Sequence, residues 1–278
     1  MNGISRTRIS PWLFFVLVFS LSWGCWILAA ILSTEGATLL TRLLHYAGGF
    51  GPTAVTIALI YFQHTPDFRR DFWRRAIEFK RISTMWYGVI LLTVPILTAL
   101  GAMGDVLLGG KGLQLEAAER FVEQPWMFLP FALFMLIFGP LPEELAWRGY
   151  VLDGLQVKWN ALASSLILGV AWTVWHLPLF FIQGSYQHGL GLGTEQFWLY
   201  MMDKVPLSIL MTWIFNNNRR STLSAILLHF MVNLIGELFD LTLRAEVFTI
   251  LLWIIVAIGV TVLWGPEKLA RDRGEKGG

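Results

Sequence analysis

Pro142-Glu143-Glu144-Leu145-Ala146-Trp147-Arg148 sets two adjacent carboxylates and an arginine inside a long apolar region. By insertion scales each ionisable group at membrane depth costs roughly 2.5 to 3.5 kcal/mol, and such groups persist mainly where they face a protected cavity or a partner. A functional site is therefore the default reading. With Pro142 in the first turn of a helix, where its missing N–H is harmless, Glu144 and Arg148 stand four residues apart and meet on one face. Glu143, about 100° round the helix, points elsewhere. One carboxylate is paired and the other is available for chemistry.

The rest of the chain supplies a membrane setting. Its 278 residues are 55% hydrophobic and 14% charged, with a mean hydropathy of +0.59. Soluble chains average about 25% charged residues, so this is an all-α polytopic membrane protein. The net charge of +2 says little about partners, since the distribution of Lys and Arg matters more than their sum. No basic patch with interleaved aromatics points to nucleic acid. Cys25, the single cysteine, cannot form an intrachain disulfide.

Apolar periodicity predicts eight spans: about 11–32, 46–63, 86–108, one beginning near 126, then 161–182, 197–215, 222–239 and 247–264. The first follows Arg6 and Arg8 but is too long for a signal-peptide core of about 7 to 15 residues, so it is read as retained. Gly48, Gly49, Gly51 and Pro52 predict a bend near the start of the second. The segment 67–81 carries Arg69, Arg70, Arg74, Arg75, Lys80 and Arg81 among Phe68, Trp73 and Phe79. It reads as a solvated or lipid-facing connector, with a short interfacial helix beside anionic lipid. Residues 109–124 read as the longest loop on the opposite side. Pro140 and Pro142 predict a kink or restarted helix in the fourth span, with Glu143 at the positive end of its dipole.

Fifteen of the 21 Lys and Arg residues then fall on the side of the amino terminus, against four, Arg42, Lys111, Arg120 and Arg244, on the other. That asymmetry predicts both termini in the cytoplasm and suits a bacterial plasma membrane or an endoplasmic reticulum equally well; the compact chain favours the bacterial plasma membrane. The chain divides into 1–124 (three spans and their loops), 125–240 (the core, spans four to seven) and 241–278 (the last span and a polar tail).

Two further stretches give the carboxylates company. Trp172-Thr173-Val174-Trp175-His176 and His229-Phe230-Met231-Val232-Asn233 each end on residues four apart, on one helical face. With Glu143-Glu144 and Arg148, the ordered set resembles the CAAX-processing and bacteriocin-processing family of intramembrane proteases, with its Glu-Glu-x-x-x-Arg, aromatic-x-x-x-His and His-x-x-x-Asn/Asp motifs. The resemblance covers about 125–240; nothing comparable supports the first 120 residues. Trp172 fills a place usually held by phenylalanine.

That resemblance implies endoproteolysis of a membrane-associated peptide or protein, of CAAX type or in bacteriocin and peptide processing, lipidated or not. Glu143 is then the general base, positioning water with His176; His229 and Asn233 form the oxyanion site; Glu144 and Arg148 buttress them. A divalent metal such as zinc, held by Glu143, His176 and His229, is compatible with these ligand types, as is a metal-free glutamate mechanism. The His-Glu-x-x-His signature of helical zinc proteases is absent, and so is a Gly-x-Ser-x-Gly elbow. Ser164, Ser165, Thr222 and Ser224 read as helix-packing residues; Asp203 and Lys204 match no motif and either pair locally or snorkel.

Bland readings stand beside these. Glu144 with Arg148 alone is a buried structural ion pair, a single membrane histidine is commonly an interhelical hydrogen-bonding residue, and Asn233 is a packing amide. A transporter, favoured by paired broken helices, and a noncatalytic immunity or scaffold protein are the alternative functions. One geometric difficulty also stands. At about 1.5 Å per residue, His176 lies roughly 22 Å beyond Ala161 and His229 only about 10 Å beyond Thr222, so straight helices starting at equal depth would keep the histidines apart.

Overall fold

The computed structural model describes residues 9–34 and 36–271. Arg6, Arg8, Arg273 and Lys276, counted above toward the charge asymmetry, lie outside the described residues. The first helix, α1 (Pro11–Leu32), starts on a Ser10 cap and takes Pro11 into its first turn, where a missing N–H is free of cost. It is followed by α2 (Leu39–Gly49) and α3 (Gly51–Gln63), bent by 49° at Phe50. The predicted bend is present, and close packing accompanies it. A Cβ at Gly51 would fall 2.2 Å from Ser22 Oγ on α1, so only glycine lets the two helices approach this closely.

Next come α4 (Pro66–Ile77), a single 3-10 turn (Phe79–Arg81) and the long α5 (Thr84–Leu107). The segment read as a loop at 109–124 is partly ordered. It contains β1 (Leu113–Gln114), which pairs antiparallel with β2 (Asp240–Leu241), and the amphipathic α6 (Glu116–Glu123). The strand pairing is a long-range contact that local composition does not announce.

The predicted interruption of the fourth span falls at Phe138–Gly139. The helix α7 (Phe128–Ile137) stops there, and α8 (Pro140–Ala146) restarts with Gly139 at φ −135°, ψ −95°. A π-helical turn (Trp147–Val151) and α9 (Leu152–Gln156) continue it. The chain then forms α10 (Ala161–Trp175), a 3-10 turn (Leu177–Phe181), α11 (Tyr186–Leu190), α12 (Glu195–Met202), α13 (Lys204–Asn217), α14 (Thr222–Leu238) and α15 (Leu243–Trp264).

Among the described residues, five helical stretches are long and apolar enough to cross a membrane, or six if the bent α2–α3 pair counts as one span. The expected eight exceed this because the sixth expected span is broken at Asp203 into α12 and α13, and α14 is only 17 residues long. An all-α polytopic membrane protein is nonetheless what the helices build. Within lipid every backbone polar group must be satisfied inside its own helix or by neighbouring protein, and the breaks are set against neighbouring helices. Packing pairs α5 with α15 and α14, α10 with α13, and α1 with α2.

The core is aromatic. Trp26 and Trp175 lie 4.6 Å apart by ring centroids, Trp175 reaches Trp147 edge-on at 5.8 Å, and Phe14 stacks obliquely on Tyr150 at 5.3 Å. These rings press α1 and α10 onto the π-turn. The depth difficulty is resolved by where α14 begins. Ser221, Thr222 and Ser224 are all fully buried, so α14 starts within the protein and carries His229 to the level of Trp172.

Candidate active site

The site is assembled on the restarted helix. Proline at positions 140 and 142 suits an N-terminal turn, and the Pro142 carbonyl accepts from the Thr53 hydroxyl of α3. Just beyond it, Glu143 Oε2 accepts from Trp172 Nε1 at 2.5 Å. The aromatic of the second motif thus hydrogen-bonds the first carboxylate, which its aromatic character alone did not predict.

Glu144 points the other way and is fully buried. Arg148 Nη1 donates to its Oε1 at 2.9 Å and to Oε2 at 3.0 Å, and His229 Nδ1 lies 3.0 Å from Oε1. The pairing of residues 144 and 148 is the one read from their spacing; the histidine 85 positions away is an addition. Arg148 Nη2 donates onward to Ser208 Oγ at 3.1 Å, and Ser208 to the Ser165 carbonyl at 2.9 Å. The guanidinium also faces the Trp172 ring at 5.3 Å. Ser208 carried no sequence signal, and Ser165 contributes through its backbone.

His176 caps the carboxyl end of α10, and its Nδ1 lies 2.8 Å from the Trp172 carbonyl. A carbonyl only accepts, so Nδ1 carries the proton and Nε2 is the atom left for chemistry. Trp172 sits between the histidines, its ring 5.1 Å from His229 and 6.0 Å from His176. Half-buried Asn233, one turn past His229, lies against the break in the fourth span. A Cβ at Gly139 would fall 2.8 Å from its Nδ2, so glycine is what admits the amide there. The Trp172 indole therefore links Glu143 to the neighbourhood of both histidines, and Asn233 borders the same restarted helix.

Lys204 and Asp203, for which the sequence left pairing or snorkelling open, are an ion pair at 2.9 Å. Lys204 Nζ also donates to the Tyr200 carbonyl at 2.7 Å and lies 3.2 Å from the Tyr200 ring centroid; that ring meets His176 edge-on at 5.6 Å. Tyr200 is a neighbour of the site that no motif announced. As to a metal at Glu143, His176 and His229, among the described residues no three His, Cys, Asp or Glu side chains are grouped to hold an ion. One nitrogen of each histidine is already engaged, by Glu144 or by the Trp172 carbonyl.

Comparison with known proteins bears on this geometry. Residues 125–235 match the family described as Type II CAAX prenyl endopeptidase Rce1-like. A CAAX prenyl protease 2 from Methanococcus maripaludis is 29% identical over 243 residues, 86% of this chain and 88% of that protein. An undecaprenyl phosphate-alpha-4-amino-4-deoxy-L-arabinose arabinosyl transferase from Edwardsiella ictaluri is 25% identical over 55% of this chain but only 34% of its own length. The matched region contains all three motifs, and the archaeal relative extends the similarity across nearly the whole chain. The stretch that holds the site thus matches a CAAX prenyl endopeptidase family, and the likeness to a CAAX prenyl protease runs over most of the chain.

Proposed function

We propose that this protease cleaves a peptide bond in a membrane-associated, CAAX-type substrate by glutamate-activated water, without a metal. The observation that carries the reading is the division of labour between neighbouring carboxylates. Glu144 is held by the charged Arg148 and by His229, whereas Glu143 accepts on Oε2 from the neutral Trp172 indole, and its Oε1 is the atom proposed for water. His176 Nε2 is the second anchor for that water.

In the proposed sequence Glu143 takes a proton as the water oxygen adds to the scissile carbonyl carbon. The carbonyl π pair moves to oxygen, and that oxyanion accepts from His229 Nε2 and Asn233 Nδ2. A donor at His229 Nε2 requires the imidazolium, and the Glu144 carboxylate on Nδ1 supplies its counter-charge. Collapse breaks the C–N bond, and Glu143 returns its proton to the departing amine. Oriented donors aimed at developing charge supply a large part of such a barrier reduction. A prenylated substrate is suggested by the name of the archaeal relative.

Glu143→Gln keeps the shape and removes the base. A farnesylated CAAX reporter peptide should be cleaved at least about a thousandfold more slowly by this variant, and wild-type turnover should survive chelation. Cleavage by Glu143→Gln at the wild-type rate would remove the base assignment, and loss of turnover in chelator with recovery on added zinc would remove the metal-free one. Natural substrates can be sought as membrane-protein termini present with wild type and absent with Glu143→Ala. The proposed orientation puts the Arg69–Arg81 end in the cytoplasm, following the cation asymmetry. Helices broken at Phe50, Gly139 and Asp203 are a feature shared with transporters, but the match of residues 125–235 to a CAAX prenyl endopeptidase family supports a protease.

A further inference from the structure

The segment 67–81, read from sequence as a solvated or lipid-facing connector, packs together with His64 just before it against the back of the active-site helix. Arg75 is 2% exposed. Its Nη2 donates to the Gly149 carbonyl at 2.8 Å and its Nη1 to Asp153 Oδ2 at 2.9 Å. Phe72, on the same helix, covers Gly149 so closely that a Cβ there would fall 3.0 Å from its ring. Just before that helix, at the end of α3, His64 Nε2 is 3.2 Å from the Tyr150 hydroxyl and its ring stacks on Phe68 at 3.9 Å. Gly149 and Tyr150 both belong to the π-turn, and each is gripped by this segment.

The position of that grip is what gives it consequence. A π-turn offsets the backbone ladder by one residue, seen here in the Leu152 N–H bonded to the Trp147 carbonyl, and such turns are frequent at functional sites. Arg148, which holds Glu144, lies inside it. Asp153 carries the connection further, since Arg220 Nε donates to its Oδ1 at 3.0 Å. Arg219 and Arg220 have φ of 55° and 57°, a left-handed conformation that residues with a Cβ rarely adopt. Arg81 helps to hold it: Arg81 Nη1 donates to the Arg219 carbonyl at 2.9 Å and Arg219 Nε to the Arg81 carbonyl at 3.2 Å. Directly after this turn begins α14, which carries His229.

We infer that Arg75 is a positioning residue for the reaction. Its fork bridges the Gly149 carbonyl and Asp153, setting the register in which Arg148 meets Glu144. Through Asp153 and Arg220 it also fixes the start of the helix that brings His229 to the same carboxylate. Its effect on turnover rests on the function proposed above; its effect on the π-turn does not.

Arg75→Lys keeps the charge but, as a single point donor, cannot reproduce the planar fork. Asp153→Asn, nearly isosteric, is the second variant should the first fail to fold. The full chain in detergent micelles would be followed by hydrogen–deuterium exchange across 144–156, by kcat and KM on the farnesylated reporter, and by thermal unfolding. Asp105→Asn, which breaks a buried carboxylate cluster remote from the site, is the control. Expected for Arg75→Lys are faster exchange at 147–153 and kcat lower by about ten- to a hundredfold, the scale of a roughly 1 Å misplacement, with KM within about twofold. The two clamp variants combined should lose little more than the worse of them, and Asp105→Asn should leave kcat and exchange at 147–153 at wild-type levels. Unchanged exchange at 147–153, or a kcat loss no greater than that of Asp105→Asn, would overturn the inference. Should the wild type cleave no farnesylated probe, the substrate reading fails and the exchange data alone decide the clamp.

Discussion

Two ends of the bundle each bury an aspartate against arginine, yet they hold different things together. At one end Asp153, 3% exposed, is shared by Arg75 and Arg220, and the π-turn beside it leads to Arg148. At the other, Asp105, 1% exposed, accepts from the Gly112 N–H at 2.9 Å, the Thr242 hydroxyl at 2.8 Å and Arg244. That second cluster ties the turn before β1 to the connection between α14 and α15, alongside the Thr242 N–H to Gly112 carbonyl bond, and includes no motif residue. Similar chemistry thus serves two ends. What distinguishes them is which backbone lies next to the buried charge, and burial of an ion pair alone is a weak sign of function.

The comparison can be broken at its strongest point by Arg148→Ala. This strands Glu144 in a fully buried position, and loss of one partner of such a pair costs about 3 to 5 kcal/mol. Unfolding titrations in mixed micelles should show that loss together with abolished cleavage; a stable, active Arg148→Ala would detach the pair from both roles. The next largest effect is expected from Trp172→Phe, which keeps a ring and removes the donor to Glu143. A drop in kcat of about tenfold, the scale of one hydrogen bond to a charged group, with unfolding close to wild type, is the predicted result. Full activity of Trp172→Phe would make the indole N–H dispensable.

Smaller still is Ser208→Ala, which removes one acceptor from Arg148 while leaving the bond to Glu144. A stability loss of about 1 kcal/mol and a kcat within about threefold of wild type are expected from parallel unfolding and turnover measurements. A loss matching that of Arg148→Ala would move Ser208 into the essential set. The mildest outcome belongs to Asp105→Asn, with a melting temperature lower by a few degrees and unchanged turnover. Lost turnover there would show that the two ends are coupled.

How much of this could be read in the chain follows from distance along it. Glu144 and Arg148, four residues apart, met as their spacing required, because a helix brings i and i+4 together whatever surrounds it. The restarted helix was visible in Pro140 and Pro142 for the same local reason. Arg75 illustrates the opposite case. A cationic, aromatic-rich segment suits lipid headgroups and solvent equally well, and nothing local to it reveals an aspartate 78 positions later. Trp172 was read as an aromatic filling a motif, and its indole found Glu143, 29 residues away, only after α8 and α10 had packed.

Composition, apolar periodicity and short polar spacings by themselves determined a helical membrane protein, the order of its motifs and the likeness to a protease family, since each depends on neighbours along the chain or on bulk solvation. Tertiary structure alone decided that His229 joins Glu144, that Trp172 bonds Glu143, that α14 starts below the surface, and that Arg75 is buried beneath the site. These depend on side chains brought together from separate helices, and the free energy of such a meeting belongs to the packed pair, which neither stretch of sequence encodes alone.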